Sequence, residues 1–184
     1  PGHHAESALA MGFCLFNNVA VGARHAQAEH GIERVAILDF DVHHGNGTQH
    51  IFERDPTVFY YSIHQHPTFA YPGTGREFET GKDAGHGYTK NSPMLPGQGD
   101  NEYQQILQRD LVPAFADFKP QVILVSSGFD GHIEDNMSDI KLTTEGYTWI
   151  IKTIVDMAAE YAQGRLISVL EGGYSIRRLP ELAR

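Results

Sequence analysis

The chain has 184 residues, with 14 Lys plus Arg against 23 Asp plus Glu, a formal net charge of −9, one Cys and 11 His. An acidic chain without clustered Lys or Arg is a poor match for nucleic acid, and no apolar run approaches the roughly 18 residues of a membrane span. A single cysteine can form neither an internal disulfide nor a thiolate zinc knuckle, which points to a reducing cytoplasm.

The chain opens on PGHHAESALAMGF, which lacks the basic start and apolar core of a secretion signal. Alanines and apolar residues at helical spacing predict a helix over 17–30, stopped by Gly31. RVAILDF (34–40) is a short, nearly continuous apolar run and predicts a strand buried on both faces. VFYYSI (58–63), rich in β-branched and aromatic residues, predicts a second strand. The stretch from Gln65 to Gly99, dense in Gly, Pro, His and Asp, is expected to be a long functional loop. Apolar spacing then predicts a helix over 101–118, a buried strand over 121–127, a helix over 144–162 capped by Thr143 or Thr144, and a further buried strand over 165–170. Strands alternating with helices imply an α/β fold with a parallel sheet, whose ligands bind beyond the carboxyl ends of the strands.

That rule directs attention to the residues just past each strand. The first strand runs into DFDVHHGNGTQ, where Asp39, Asp41 and His43 alternate and so share one side of an extended backbone. SSGFDGH places Asp130 beyond the next, and LEGGY places Glu171 and Tyr174 beyond the last. Asp41, His43 and Asp130 make a three-ligand nitrogen and oxygen set with open positions, the pattern of catalytic zinc. Taken singly, the two aspartates also fit turn caps and His43 a packed core residue; the set of three favours the metal. His3 and His4 fit either an acid and base pair near a metal or a solvated terminal stretch. Phe13 fits either a slot wall or a core residue, and Cys14 reads as a small buried hydrophobe.

PGHHA, GFCLFNN, LDFDVHHGNGTQ, SIHQ followed by YPGTG, SSGFDGH and LEGGY stand in the order found in the histone deacetylase superfamily, and together they resemble it from Pro1 to Tyr174. HHGNGTQ and LEGGY resemble the class II and bacterial branch more than class I. The resemblance implies an arginase-like three-layer α/β sandwich, with a central, mostly parallel sheet and helices on both faces. It implies that Asp41, His43 and Asp130 bind Zn2+ (or Fe2+ or Co2+), that His4 is the general base and acid with His3 its electrostatic partner, and that Asp39 orients His3. It further implies that Tyr174 donates to the reacting carbonyl, that Phe13 and Tyr71 wall an acyl-lysine tunnel and bind substrate together with Gly128, and that Asp39, Asp41, His43 and Ser62 surround a structural K+. Asn46 stands where some branches carry an Asp beside the second histidine; a neutral amide is expected to hold His4 less strongly in its charged form. The family's domain is longer, so residues 1–184 are expected to form one catalytic domain lacking its first strands and its C-terminal end.

The activity so implied is zinc-dependent hydrolysis of acetylated lysine side chains or similar acetylated amines in the cytoplasm. An acetylpolyamine or small-amide hydrolase is the alternative. An inactive acyl-binding module is more remote, and so is an arginase-like dimanganese hydrolase, for which no second set of bridging carboxylates is evident.

Overall fold

The computed structural model describes residues 1–184. β1 (Val35–Asp39) is the central strand of a five-stranded parallel sheet. It pairs on one side with β2 (Val58–Gln65) and on the other with β4 (Val122–Ser127), Asp39 lying in register with both Ser62 and Ser126. β3 (Thr89–Met94) extends the sheet beyond β2, and β5 (Leu166–Leu170) extends it beyond β4, giving the order β3-β2-β1-β4-β5. The chain moves outward from β1 through β2 to β3, then returns to β1's other side to begin again. Strand order therefore reverses at β1, and a crevice opens beyond its carboxyl end.

Side-chain alternation along β1 feeds two cores. Val35 and Ile37 join one with Val19, Ala20 and Ala23 of α1 (Asn18–His30) and Phe52 of α2 (Asn46–Phe52). Ala36 and Leu38 join the other with Tyr103 of α3 (Asp100–Ile106), Phe115 of α4 (Val112–Phe118), and Ile150 and Ile154 of α5 (Thr144–Tyr161). The result is the three-layer sandwich expected. α1 begins at Asn17, whose side chain accepts from the Ala20 N–H, and ends at Gly31 in the left-handed conformation; α5 is capped by Thr143, which accepts from the Gly146 N–H. A short α6 (Leu179–Leu182) closes the chain, and no helix is long and apolar enough to cross a membrane.

Three expectations need correction, and one helix carries no signal in the sequence. The stretch from Gln65 to Gly99 is not all loop, since β3 lies within it. TKNSPM carries little β propensity, but β3 is an edge strand, where the missing N–H of Pro93 is tolerated. α2 has no clear sequence signal, because NGTQHIF holds a glycine and no side chain caps it; it is fixed from outside by the Thr48 N–H donating to the His3 carbonyl at 3.1 Å. The helix expected over 101–118 is interrupted by a π-helical segment, Leu107–Leu111, just before Pro113, which has no N–H to give the preceding turn. β5, expected to be buried on both faces, is the other edge strand, and Ile167 and Leu170 are 56% and 47% exposed.

Candidate active site

The chain leaves β1 at Asp39, and the next residues cross the crevice. Asp41 and His43 face Asp130, which lies just past β4: His43 Nδ1 is 3.1 Å from Asp41 Oδ1 and 3.0 Å from Asp130 Oδ2. One donor atom from each of the three lies within 4.8 Å of the others. Backbone N–H groups orient the carboxylates, Gly172 donating to Asp41 Oδ2 at 2.8 Å and Val42 to Asp130 Oδ1 at 3.1 Å. Gly172 is required there, because a Cβ would overlap both Asp130 Oδ2 and Asp41 Oδ2.

Both aspartates are buried, so they demand a cation between them. Burial works against a charged His43, yet its hydrogen bonds with Asp130 and Asp41 push it up to about 10. Burial pushes Asp130 up to about 6, reinforced by the charge of Asp41. Asp41 resists its own burial because His3 and His43 hold it well below the usual carboxylate range. The His43 proton thus occupies the place of a positive charge among two oxygen donors and a nitrogen. This donor set fits a divalent ion with nitrogen and oxygen preference.

Beside this group lie the two histidines of the chain's first turn, 4.1 Å apart between ring centroids. His3 Nδ1 pairs with Asp39 Oδ2 at 2.9 Å, an oxygen that also accepts from the Tyr60 hydroxyl at 3.0 Å. Burial opposes a charge on His3, but Asp39 and Asp41 raise it well above the ordinary imidazole value. His4 Nδ1 pairs with Asn46 Oδ1 at 2.8 Å. Burial, and then the charge of His3, lower His4 to about 3. The Asn46 hydrogen bond works in the raising direction but does not outweigh them. The two imidazoles are thereby pulled in opposite directions, His3 toward its charged form and His4 toward its neutral one.

A cavity of about 460 Å³ opens over these groups, lined by Pro1, His3, His4, Gly12, Phe13, Asp41, His43, Tyr71, Met137, Gly172 and Tyr174. Gly12, at φ 56°, permits close approach, since a Cβ would overlap the His4 ring. Phe13 comes next at φ 65° and stands 78% exposed at the mouth. Across from it, the Tyr71 ring meets the His4 ring edge-on at 5.0 Å. The loop bearing Tyr71 is tied down behind the cavity: His44 Nδ1 bonds Thr74 Oγ1 at 2.8 Å, and His64 Nε2 donates to the Gly75 carbonyl at 2.8 Å. The Tyr174 phenol is pushed up to about 12 by burial and by the charges of Asp130 and Asp41, so it stays protonated as a donor.

The structure brings His3, His4, Asp41, His43, Phe13, Tyr71 and Tyr174 to one cavity, with Asp39, Asn46 and Asp130 directly behind them. Gly128 does not line it; the residue packs beneath Asp41, and a Cβ there would overlap the Asp41 carboxylate. Ser62 is in register with Asp39, but its hydroxyl is engaged by His64 Nδ1 at 2.7 Å.

Other contributors gain a role only from the structure. Glu171 accepts from the Gly2 N–H at 2.5 Å, the His3 N–H at 3.2 Å and the Ser126 hydroxyl at 3.0 Å, anchoring the histidine pair to the end of β5. Asp135 Oδ2 accepts from the Tyr174 and Ser175 N–H groups at 2.6 and 2.9 Å. Met137 lines the cavity from a loop with no periodic signal.

With this geometry in place, comparison with known proteins is decisive: the histone deacetylase domain family matches residues 1–184. The chain belongs to the histone deacetylase family. It is 46% identical to histone deacetylase 14, chloroplastic, of Arabidopsis thaliana over 97% of this chain and 42% of that one. It is 45% identical to a histone deacetylase-like amidohydrolase of Pseudomonas aeruginosa over 98% of this chain and 47% of the relative. The crystal structure of an acetylpolyamine aminohydrolase from Burkholderia pseudomallei superposes with a TM-score of 0.91 at 37% identity, covering 100% of this chain and 52% of that one. The chain thus spans about half the length of the family members it matches.

Proposed function

We propose that this histone deacetylase family chain carries the centre of a metal-dependent deacetylase, hydrolysing the amide of acetylated lysine side chains or similar acetylated amines. The observation that carries the reading is one cavity lined by His4, Tyr174, Asp41 and His43, with Asp130 behind it completing a three-ligand set. Those three residues would hold the ion, for which zinc is the first choice and iron(II) or cobalt(II) the others; when bound, it supplies Lewis-acid polarisation of the acyl carbonyl and acidifies water. A K+ beside Asp39, Asp41, His43 and Ser62 belongs to the same reading and would draw on backbone carbonyls, because the Ser62 hydroxyl is engaged elsewhere.

His4 takes a proton from attacking water at Nε2 and returns it to the leaving amine. The positive charge on His3 stays in place against Asp39 and keeps His4 from holding that proton tightly. Tyr174 donates to the carbonyl oxygen as negative charge develops, an interaction of about 3 kcal/mol for one such donor. Phe13 and Tyr71 flank the aliphatic stem and exclude water from it. Asp39 and Asn46 hold the two imidazoles in orientation.

The test is turnover of an acetyl-lysine peptide by the purified protein. Tyr174→Phe and His4→Ala are each expected to lose activity by about 100-fold or more. Wild-type rates in either variant would sink the assignment. A second reading, an acetylpolyamine substrate, draws on the Burkholderia neighbour and on the net charge of −9, which favours a cationic ligand. Faster turnover of acetylspermidine than of acetyl-lysine peptides would select it. The single cysteine, buried in the fold, is consistent with a cytoplasmic setting.

A further inference from the structure

Asn46 supports His4, yet nothing in an amide alone says which of its ends faces the imidazole. The oxygen makes His4 Nδ1 the donor and leaves the Nε2 lone pair to the cavity; the nitrogen would do the reverse and put the proton on Nε2. The structure settles this from Asn46's other side. Asn46 Nδ2 donates to Glu6 Oε1 at 2.6 Å, and its other neighbours, the His4 carbonyl and Met11 Sδ, both at 3.4 Å, are also acceptors. A carboxylate accepts only, so Glu6 admits a single amide orientation. Glu6 is itself held in place by His50 of α2, whose Nδ1 lies 2.8 Å from the same oxygen. Ala5, between His4 and Glu6, is buried; its carbonyl accepts from Asn17 Nδ2, at the start of α1, at 3.3 Å, and it packs so closely on Gly47 of α2 that a Cβ there would overlap it.

We infer that Glu6 is a positioning residue that selects the His4 tautomer by fixing the orientation of the Asn46 amide. The inference rests on the reading of His4 as the base for its effect on rate, but not for its effect on the tautomer. Polarity runs along one line: Glu6 accepts, Asn46 relays, His4 Nδ1 donates, and His4 Nε2 is left to accept a proton. Reversing the polarity at position 6 should reverse the whole line. Glu6→Lys presents only donors, which draws Asn46 Oδ1 toward residue 6 and turns Nδ2 toward His4. Asn46→Asp then offers an acceptor in both directions, so the double variant restores what the first change removed.

The experiment is ¹⁵N NMR of histidine-labelled protein, with His4 assigned by its loss in His4→Gln, alongside turnover of an acetyl-lysine peptide. Wild type is expected to show a protonated Nδ1 and an unprotonated Nε2 on His4. Glu6→Lys is expected to exchange those signals and to lower kcat by about 10- to 100-fold with little change in KM. Glu6→Ala, which frees the amide without reversing it, should give a mixture of both forms. Glu6→Lys with Asn46→Asp should regain the wild-type tautomer and most of the rate, an outcome that a purely structural role for Glu6 would not produce. An unchanged His4 tautomer in both Glu6→Lys and Glu6→Ala overturns the inference, as does a double variant no better than its worse parent. If the tautomer shifts as expected while His4→Ala hydrolyses at the wild-type rate, it is the reading of His4 as base that fails, and the role of Glu6 stands.

Discussion

The Glu171 carboxylate accepts the backbone N–H of His3 at 3.2 Å and that of Gly2 at 2.5 Å, joining groups 168 and 169 residues apart in the chain. The end of β5 thereby sets the position of the histidine pair, and a third bond, from the Ser126 hydroxyl at 3.0 Å, fixes the carboxylate itself to β4. Glu171→Ala would strand buried N–H donors, and each unmet group costs about 1–3 kcal/mol. We expect a lowered urea midpoint together with a loss of kcat, whereas Glu171→Gln should retain most of the stability. An unchanged midpoint in Glu171→Ala would show that the carboxylate anchors nothing.

Gly172→Ala tests how tightly the carboxylates are enclosed. A Cβ would overlap oxygens of both Asp130 and Asp41, and these atoms cannot retreat without giving up their present partners. Metal affinity, measured by competition with a chromophoric chelator, should fall by about 10-fold or more. Far-UV circular dichroism should remain that of the wild type.

Metal addition should stabilise the fold, because the two buried carboxylates are brought together at an electrostatic cost that a cation offsets. At an ion concentration about 100 times Kd the expected gain is about 2.7 kcal/mol, read as a rise in Tm on titration with zinc. Asp130→Asn should abolish the rise. A rise of equal size in that variant would place the ion elsewhere.

Glu79 gives a pH dependence of defined sign. Burial works to raise its carboxyl, but the Arg76 N–H, the Gln49 side chain and the Gly75 N–H lower it from the ordinary 4.5. Since the folded value lies below the unfolded one, its contribution is fully present above pH 4.5 and is lost as pH falls through the folded value. Wild-type stability should therefore fall more steeply below pH 4.5 than that of Glu79→Gln. Identical slopes would show that the Glu79 carboxylate does not hold the Gly75 and Arg76 backbone in place.

Most of what places the site could be read in the residues. RVAILDF and QVILVSS are apolar on both faces because two helical layers cover them, and the acids just past such strands fall into one crevice by topology. Gly31 and the Thr143–Thr144 pair mark helix ends through local chemistry and are legible for that reason, whereas Asn17 reads as the first residue of its helix and proves to be its cap. β3 and α2 were not, since both are imposed by neighbours: TKNSPM is a strand because β2 offers a free edge, and NGTQHIF a helix because the segment of His3 to Ala5 packs on it. Asp41, His43, Asp130 and Tyr174 announced themselves by position after a strand. Glu6, Asp135 and Met137 act through contacts across loops, which no spacing records.

The strand order carries a kinetic consequence. Every pairing in the sheet is parallel, so no strand meets its partner through a tight hairpin, and each contact waits for a crossover to close. Residues 2–4, 39–46, 130 and 171–174 come together only once β5 has docked on β4. The gain of a tight metal complex during refolding should then be among the last events, arriving with the slowest folding phase or after it. A nascent chain halted before residue 171 would hold ligands for an ion but no arrangement able to use it.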